Sequence, residues 1–241
     1  IQNGAMAAGK DVYQESNGGK WVRYDENGHM VKGWDVTERG AYYFDQTTGA
    51  MAKGETEIDG IPCIFDRETG IGWNLQWQER EGARYWYEGG KRQGLEGRGK
   101  EIYDPASDAW YWLDSVDQGK MAASKDVYQE SSGGKWVRYD ENGHMIKGEN
   151  CQNGNWYYFE PVTGAMIHGP WTLPDGRKVY YDLTTGIMQY GNVSINGSLY
   201  YFDPVYGTMK SGALTNFWVT DGNGKSFWYE SWVRQGWQPS N

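Results

Sequence analysis

The stretch Trp156-Tyr157-Tyr158-Phe159, followed by Glu160 and then Thr163-Gly164-Ala165-Met166, limits what this chain can fold into more than any other feature. Consecutive side chains of a strand point to opposite faces, so Trp156 and Tyr158 share one face while Tyr157 and Phe159 share the other. Gly164 supplies a turn, because glycine takes left-handed backbone conformations at no steric cost. Aromatic strand, turn and returning Met strand are expected to make one β-hairpin of about twenty residues. One face would pack a core and the other would meet something outside.

Copies of this unit fill the chain. Trp21-Val22-Arg23-Tyr24-Asp25 leads to Gly28-His29-Met30 and Gly33-Trp34, and Tyr42-Tyr43-Phe44-Asp45 leads to Gly49-Ala50-Met51. Cys63-Ile64-Phe65-Asp66, Tyr180-Tyr181-Asp182 and Tyr200-Tyr201-Phe202-Asp203 begin further copies. A larger duplication overlies the small one: residues 5–33 match residues 120–148 at an offset of 115, differing only at Ala5/Lys120, Gly9/Ser124, Asn17/Ser132 and Val31/Ile146. Tyr85-Trp86-Tyr87-Glu88 and Phe227-Trp228-Tyr229-Glu230 close the two copies. The expected organisation is a first block of hairpins at 1–94, bridging repeats at 95–119 and a second block at 120–241. A whole extra hairpin around Tyr200 to Gly212 leaves the flanking pattern intact, which makes the hairpin the structural unit. Glycine recurs too often for helices, and a lone hairpin is marginal, so the fold class is all-β, an elongated solenoid of stacked hairpins.

Composition fits a thin structure. The chain has 14 Trp and 19 Tyr with a mean hydropathy of -0.82, so aromatic rings, each able to bury roughly 150–250 Å², must stand in for an aliphatic centre. A net charge of -9 speaks against nucleic acid, whose phosphates need a basic face, and mildly favours cationic ligands. No apolar run approaches the roughly eighteen residues of a membrane helix, so no membrane insertion is expected. The opening residues Ile1 to Met6 read as the tail of a preceding repeat, so the chain reads as a fragment of a longer secreted protein, fused to further domains.

Chemistry-bearing residues point away from catalysis. Asp45, Asp66, Asp114, Asp182 and Asp203 all follow an aromatic run at one repeat position, a folding role, whereas a catalytic acid pair should be unique. No Gly-x-Ser-x-Gly, Walker or His-Glu-x-x-His pattern is present. His29, His144 and His168 lack the Cys/His clustering of a metal site, and Asp25 to Gly28 reads as a hairpin turn rather than a calcium loop. Cys63, expected in a strand, and Cys151, expected in a loop, are expected to be unpaired. No catalytic residue, metal or cofactor is expected.

At Trp-Tyr-Tyr-Phe, Thr-Gly-Ala-Met and Gly-Trp, the units resemble the cell-wall-binding repeat family, also called choline-binding repeats, of bacterial autolysins and surface proteins. Relatives occur in glucan-binding regions of glucansucrases and in receptor-binding repeats of large glucosylating toxins. The resemblance implies a left-handed superhelix with ligand sites between consecutive hairpins, on a secreted protein held at the bacterial cell surface. Carried over residue by residue, it implies one site from Trp21, Trp34 and Tyr43 with Met30 nearby, and another from Trp156, Trp171 and Tyr180 with Met166 nearby. Glu149 and Glu55 stand where Trp34 stands in its own repeat and Ala41 replaces a leading Trp, so two sites are expected rather than one per repeat. The expected partner is choline on a cell-surface polymer such as teichoic acid. A glucan or host-glycan binding module and a structural stalk are the other readings.

Overall fold

The computed structural model describes residues 6–16, 18–130, 133–209, 216–221, 223–230 and 233–237. Every regular element among them is a β-strand. The first strands are β1 (Lys10–Gln14), β2 (Lys20–Tyr24), β3 (Gly33–Thr37), β4 (Gly40–Phe44), β5 (Gly54–Ile58), β6 (Ile61–Phe65), β7 (Gln76–Arg80), β8 (Ala83–Glu88) and β9 (Lys91–Arg92). Then come β10 (Lys100–Asp104), β11 (Ala109–Asp114), β12 (Lys120–Met121), β13 (Lys125–Gln129), β14 (Lys135–Tyr139), β15 (Gly148–Gln152) and β16 (Asn155–Phe159). The last are β17 (Gly169–Thr172), β18 (Lys178–Tyr181), β19 (Gly191–Ile195), β20 (Ser198–Phe202), β21 (Asn216–Thr220), β22 (Ser226–Glu230) and β23 (Val233–Trp237).

Hairpin repeats are present, but their phase differs from the sequence expectation. The aromatic strand pairs with the strand before it, β15 with β16 and β3 with β4, and not with the Met stretch after it. At the tips of the β5–β6, β15–β16 and β19–β20 hairpins, Asp59-Gly60, Asn153-Gly154 and Asn196-Gly197, both residues have positive φ, the backbone of a type I′ turn. That turn matches the twist of two paired strands, which the Thr-Gly turn does not. The Met stretch closes only a single bridge, such as Phe159 to Met166 or Tyr181 to Met188. Cys151 is likewise a strand residue of β15 rather than a loop residue; it is exposed while Cys63 is buried, and both are free.

The turn after each hairpin is built by its acidic residue. Asp45 Oδ1 accepts the Thr47 N–H (3.0 Å), the Thr48 N–H (2.6 Å) and the Thr48 hydroxyl (2.8 Å). Asp66 and Asp182 bind Thr69 and Thr185 in the same way, and Glu160 does so with Thr163. The backbone donors hold the Asp45, Asp66 and Asp182 carboxyls below their ordinary range. A group whose folded pKa is lowered contributes its stability above the unfolded value, about 4, and loses it as pH falls through the folded value. The urea midpoint is therefore expected to hold down to about pH 5 and then fall, and replacing all three Asp by Asn should flatten that slope; an unaltered slope in the triple variant would remove the turns as its cause.

Two devices join one hairpin to the next. The Met51 N–H donates to the Trp21 carbonyl (2.8 Å) of the preceding hairpin, as Met166 does to Trp136 (2.7 Å) and Met188 to Trp156 (2.8 Å). Each Met side chain also lies against the glycine of the following turn: Met30 on Gly49, Met145 on Gly164, Met166 on Gly186. Burial consequently follows the length of the hairpin and not its face. In β16, Trp156 is exposed, Tyr157 half-buried, and Tyr158 and Phe159 both buried, because neighbouring hairpins cover both faces at the base and leave the tip open.

The chain forms two compact units, residues 1–125 with 139–144 and residues 126–138 with 145–241. In the first, the sheet runs β10-β11-β12-β8-β9-β6-β5 with β7 on β8, around a cluster of Trp86, Ile102, Tyr111 and Leu113. In the second, the order is β19-β20-β23-β22-β21, and Tyr158, Leu173, Val179, Tyr181 and Met188 pack together.

Candidate ligand-binding cleft

In the first unit the structure divides the expected trio. Trp34 and Tyr43 stand directly opposite each other on β3 and β4, edge to face with ring centroids 5.3 Å apart, and Phe65 of the next hairpin lies 5.8 Å from Trp34. Trp21, 41% exposed, packs instead on Tyr13 at 5.4 Å. Both indoles carry a cation of the chain itself. Lys91 Nζ lies 4.2 Å from the Trp34 centroid, and Lys53 Nζ lies 5.5 Å from that of Trp21. Met30 packs on Gly49, a place in the stack rather than in an open notch.

In the second unit a proline changes which face a ring takes. Gly169-Pro170-Trp171 puts Pro170 at the register position that Trp34 holds in its hairpin, opposite Tyr180, and Trp171 one step further, opposite Val179. A one-residue shift turns a side chain to the other face of the ribbon. Trp171 accordingly packs 6.0 Å from Tyr158, whereas Tyr180, 7% exposed, lies tilted 6.1 Å from Phe202. Trp156 is 41% exposed and sits opposite Cys151, and Met166 packs on Gly186.

Trp171 and Tyr180 nevertheless border one cleft of about 670 Å³, together with Pro170, Tyr200, Phe202 and Met209. Its walls come from β17–β18 and β19–β20, so two successive hairpins make it. The cation-to-ring contacts of this unit, among the described residues, are Arg138 on Tyr157 and Phe159 and Lys225 and Arg234 on Phe227, so the cleft rings are free of them. The Trp171 indole nitrogen is buried without a hydrogen-bond partner. An unmade bond of that kind costs about 1–3 kcal/mol.

Where Glu replaces the Gly-linked Trp, an ion pair closes the position. Glu149 takes both oxygens to Arg177 (2.9 and 3.1 Å) of the following hairpin, and Glu55 pairs with Arg80. The two Gly-Glu repeats thus link adjacent hairpins by charge where Gly-Trp does so by rings.

Sequence reasoning missed a second aromatic feature. Tyr13 and Trp21, Tyr103 and Trp110, Tyr128 and Trp136, and Trp218 and Trp228 are cross-strand pairs near hairpin tips, with centroids 5.3–5.4 Å apart. Gly19 and Gly134 lie beneath the Tyr13 and Tyr128 hydroxyls, where a Cβ would come within 2.2 Å. The short separation of Tyr13 from Trp21, with Gly18-Gly19 between, was the available signal.

A sequence profile described as "Choline-binding repeat" matches residues 13–55 and 129–171. Glucosyltransferase-S and Glucosyltransferase-I of Streptococcus downei are 24% identical over 163 residues and 28% identical over 175, covering 66% and 68% of this chain. The chain spans about a tenth of the length of these two relatives, 10% of each. Among solved structures, the choline-binding domain of CbpL from Streptococcus pneumoniae superposes with a TM-score of 0.55 at 23% identity, over 86% of this chain and all 100% of that one. CbpJ of Streptococcus pneumoniae gives 0.53 at 19% identity, over 94% of each chain. Choline-binding protein F from Streptococcus pneumoniae, solved with a peptidoglycan analogue, gives 0.52 at 17% identity, over 94% of this chain and 84% of that one. These likenesses establish the fold.

Proposed function

We propose, from the premise that this chain belongs to the choline-binding repeat family, that it is a non-catalytic module attaching a secreted bacterial protein to a cell-surface glycopolymer through a choline-type quaternary ammonium. The observation that carries this is the open cleft bordered by Trp171, Tyr180, Tyr200 and Phe202, whose rings hold no cation of the chain itself among the described residues. A quaternary ammonium donates no hydrogen bond, so ring faces are its natural partners, at about 0.5–2 kcal/mol each. Weak single sites suffice when one polymer engages several, since each later contact is intramolecular. The acidic residues at the repeated position are committed to turns, which supports the non-catalytic part of the reading. No helix among the described residues is long and apolar enough to cross a membrane.

A glycan is the second reading, and the tip pairs favour it. Touching rings leave no gap for a cation between them but offer a shelf on which a sugar's CH-rich face can lie; the glucosyltransferase relatives point the same way. Tryptophan fluorescence titrations with choline chloride and with dextran separate the two. Saturation by choline, weakened about tenfold or more by Tyr200→Ala, is expected, a loss of about 1.4 kcal/mol. A dextran response abolished by Trp110→Ala with Trp136→Ala would put the glycan first. Silence with both ligands would leave a structural stalk.

A further inference from the structure

The two closing hairpins repeat each other's internal contacts and differ in one charge. The Trp86 indole N–H donates to Glu88 (3.0 Å) and the Gln93 side chain to the Lys91 carbonyl (3.1 Å); Trp228 and Gln235 do the same with Glu230 (3.0 Å) and Val233 (3.2 Å). Lys91 stands opposite Glu88 in the first hairpin, and Val233 stands opposite Glu230 in the second. The hairpin therefore does not need a cation at this position. Among the described residues the Lys91 ammonium makes no hydrogen bond or ion pair, and it rests on the Trp34 ring at 4.2 Å.

Lys91 borders a cavity of about 870 Å³ in the first unit. Its lining residues run from Glu57 to Gln118, none of them in the segments 13–55 and 129–171 that match the repeat profile. Directly opposed residues share a face of a ribbon, and Lys100 is held to the Glu88 and Lys91 face by Glu88 (2.9 Å) and Gln93 (2.8 Å). Arg92, lying 3.9 Å over the Tyr85 ring with its Nε buried and unpartnered, brings a third cation to the lining. All three cations are half-buried, whereas Glu57 and Glu96 are exposed. Positive charge thus lies inward and negative charge outward, in a chain whose net charge is -9.

We propose that this cavity binds an anionic sugar unit of a glycan, a monosaccharide carrying a phosphate or a carboxylate. Lys91 and Lys100 take the anion through charge-assisted hydrogen bonds, and the anion gives Lys91 the ionic partner that the chain does not. The Glu57 and Glu96 carboxylates accept hydrogen bonds from hydroxyls, and the half-buried Pro62 and Leu95 meet the sugar's CH-rich face. The volume falls within the roughly 300–1,000 Å³ of small-molecule sites. No ring of the aromatic cleft borders this cavity, so the inference does not depend on the choline reading.

Isothermal titration of the full chain with glucose 6-phosphate, glucuronate, glucose and inorganic phosphate tests this. At least one acidic sugar is expected to bind about tenfold or more tightly than glucose or inorganic phosphate, and which one it is identifies the anion. Lys91→Val, which copies Val233, should keep the fold by circular dichroism and weaken that binding about tenfold, while Lys91→Arg retains it. Lys91→Gln takes the place of Val if the Val variant is unfolded, and Lys100→Gln should weaken binding as well. Equal binding of glucose, equal binding of inorganic phosphate, no binding of either acidic sugar, or acidic-sugar binding indifferent to Lys91→Val would each overturn the inference. Choline titration of Lys91→Val keeps the two readings apart: a cleft that binds choline in a variant that has lost the acidic sugar makes them separate sites. Acidic-sugar binding by a chain that never binds choline would sink the cleft reading alone.

Discussion

Arg138→Ala should lower the stability of the second unit by about 2–4 kcal/mol, measured as the urea midpoint by tryptophan fluorescence. Arg138 is only 6% exposed; its guanidinium grips both oxygens of Asp126 (2.7 and 2.9 Å), reaches Asn150 (3.2 Å) and lies 4.1 Å over the Tyr157 ring. One side chain thereby ties β14 to its own hairpin partner, β13, and to the next hairpin, β15–β16. Burial pulls its pKa down, but the Asp126 bond and charge outweigh that and leave it raised, so the group cannot escape by losing its proton. Truncation leaves the Asp126 carboxylate without its partner in a partly covered site. Asp126→Asn added to Arg138→Ala should recover part of the loss, whereas a cumulative loss would mean that the packing of the stem, not the charge, carries the effect. The duplicate in the first unit, Arg23 with Asp11, Asp35 and Tyr42, is more exposed and should lose less on truncation.

That duplicate shows what sequence comparison could and could not supply. The offset of 115 carries Asp11 onto Asp126, Arg23 onto Arg138 and Tyr42 onto Tyr157, and the structure reproduces the clamp at both places. Identical residues at identical separations make identical local contacts, so the repeat, the hairpin unit and the turn-forming role of Asp45, Asp66 and Asp182 were legible. The phase of the hairpin was legible too, in Asp59-Gly60, Asn153-Gly154 and Asn196-Gly197, but each repeat also carries a Thr-Gly-type turn signal that competes with it. Other features depend on register or on distant chain. Pro170 moves Trp171 by one position and so to the opposite face, a change that shows only once the strands are paired. Lys91 reaches Trp34 because β9 pairs with β6, and no local pattern announces a contact across fifty-seven residues. The cleft-lining Tyr200 and Phe202 belong to a hairpin recognised from its motif, yet their place beside Tyr180 comes from the stacking of whole hairpins.

The stacking itself is open to a single-atom test at Gly164. Its φ of +68° is strained for any L side chain, and an added Cβ would lie 2.4 Å from the Met145 sulfur and 2.8 Å from its Cγ. Neither atom is a free end that can swing aside, so the turn or the whole Met side chain must move. Moving the turn would pull on Met166, two residues on, whose N–H holds the Trp136 carbonyl of the preceding hairpin at 2.7 Å. Gly154 is the internal control: its φ of +77° is equally strained, but nothing lies within 4 Å of its added Cβ. Gly154→Ala should cost only the backbone term, about 1–2 kcal/mol, and Gly164→Ala that term plus about 1–3 kcal/mol of overpacking. The excess for Gly164→Ala in urea unfolding measures what the Met-on-glycine contact contributes between hairpins. Equal losses at the two glycines would assign the joining of the stack to its backbone hydrogen bonds alone, with the Met ladder a filler.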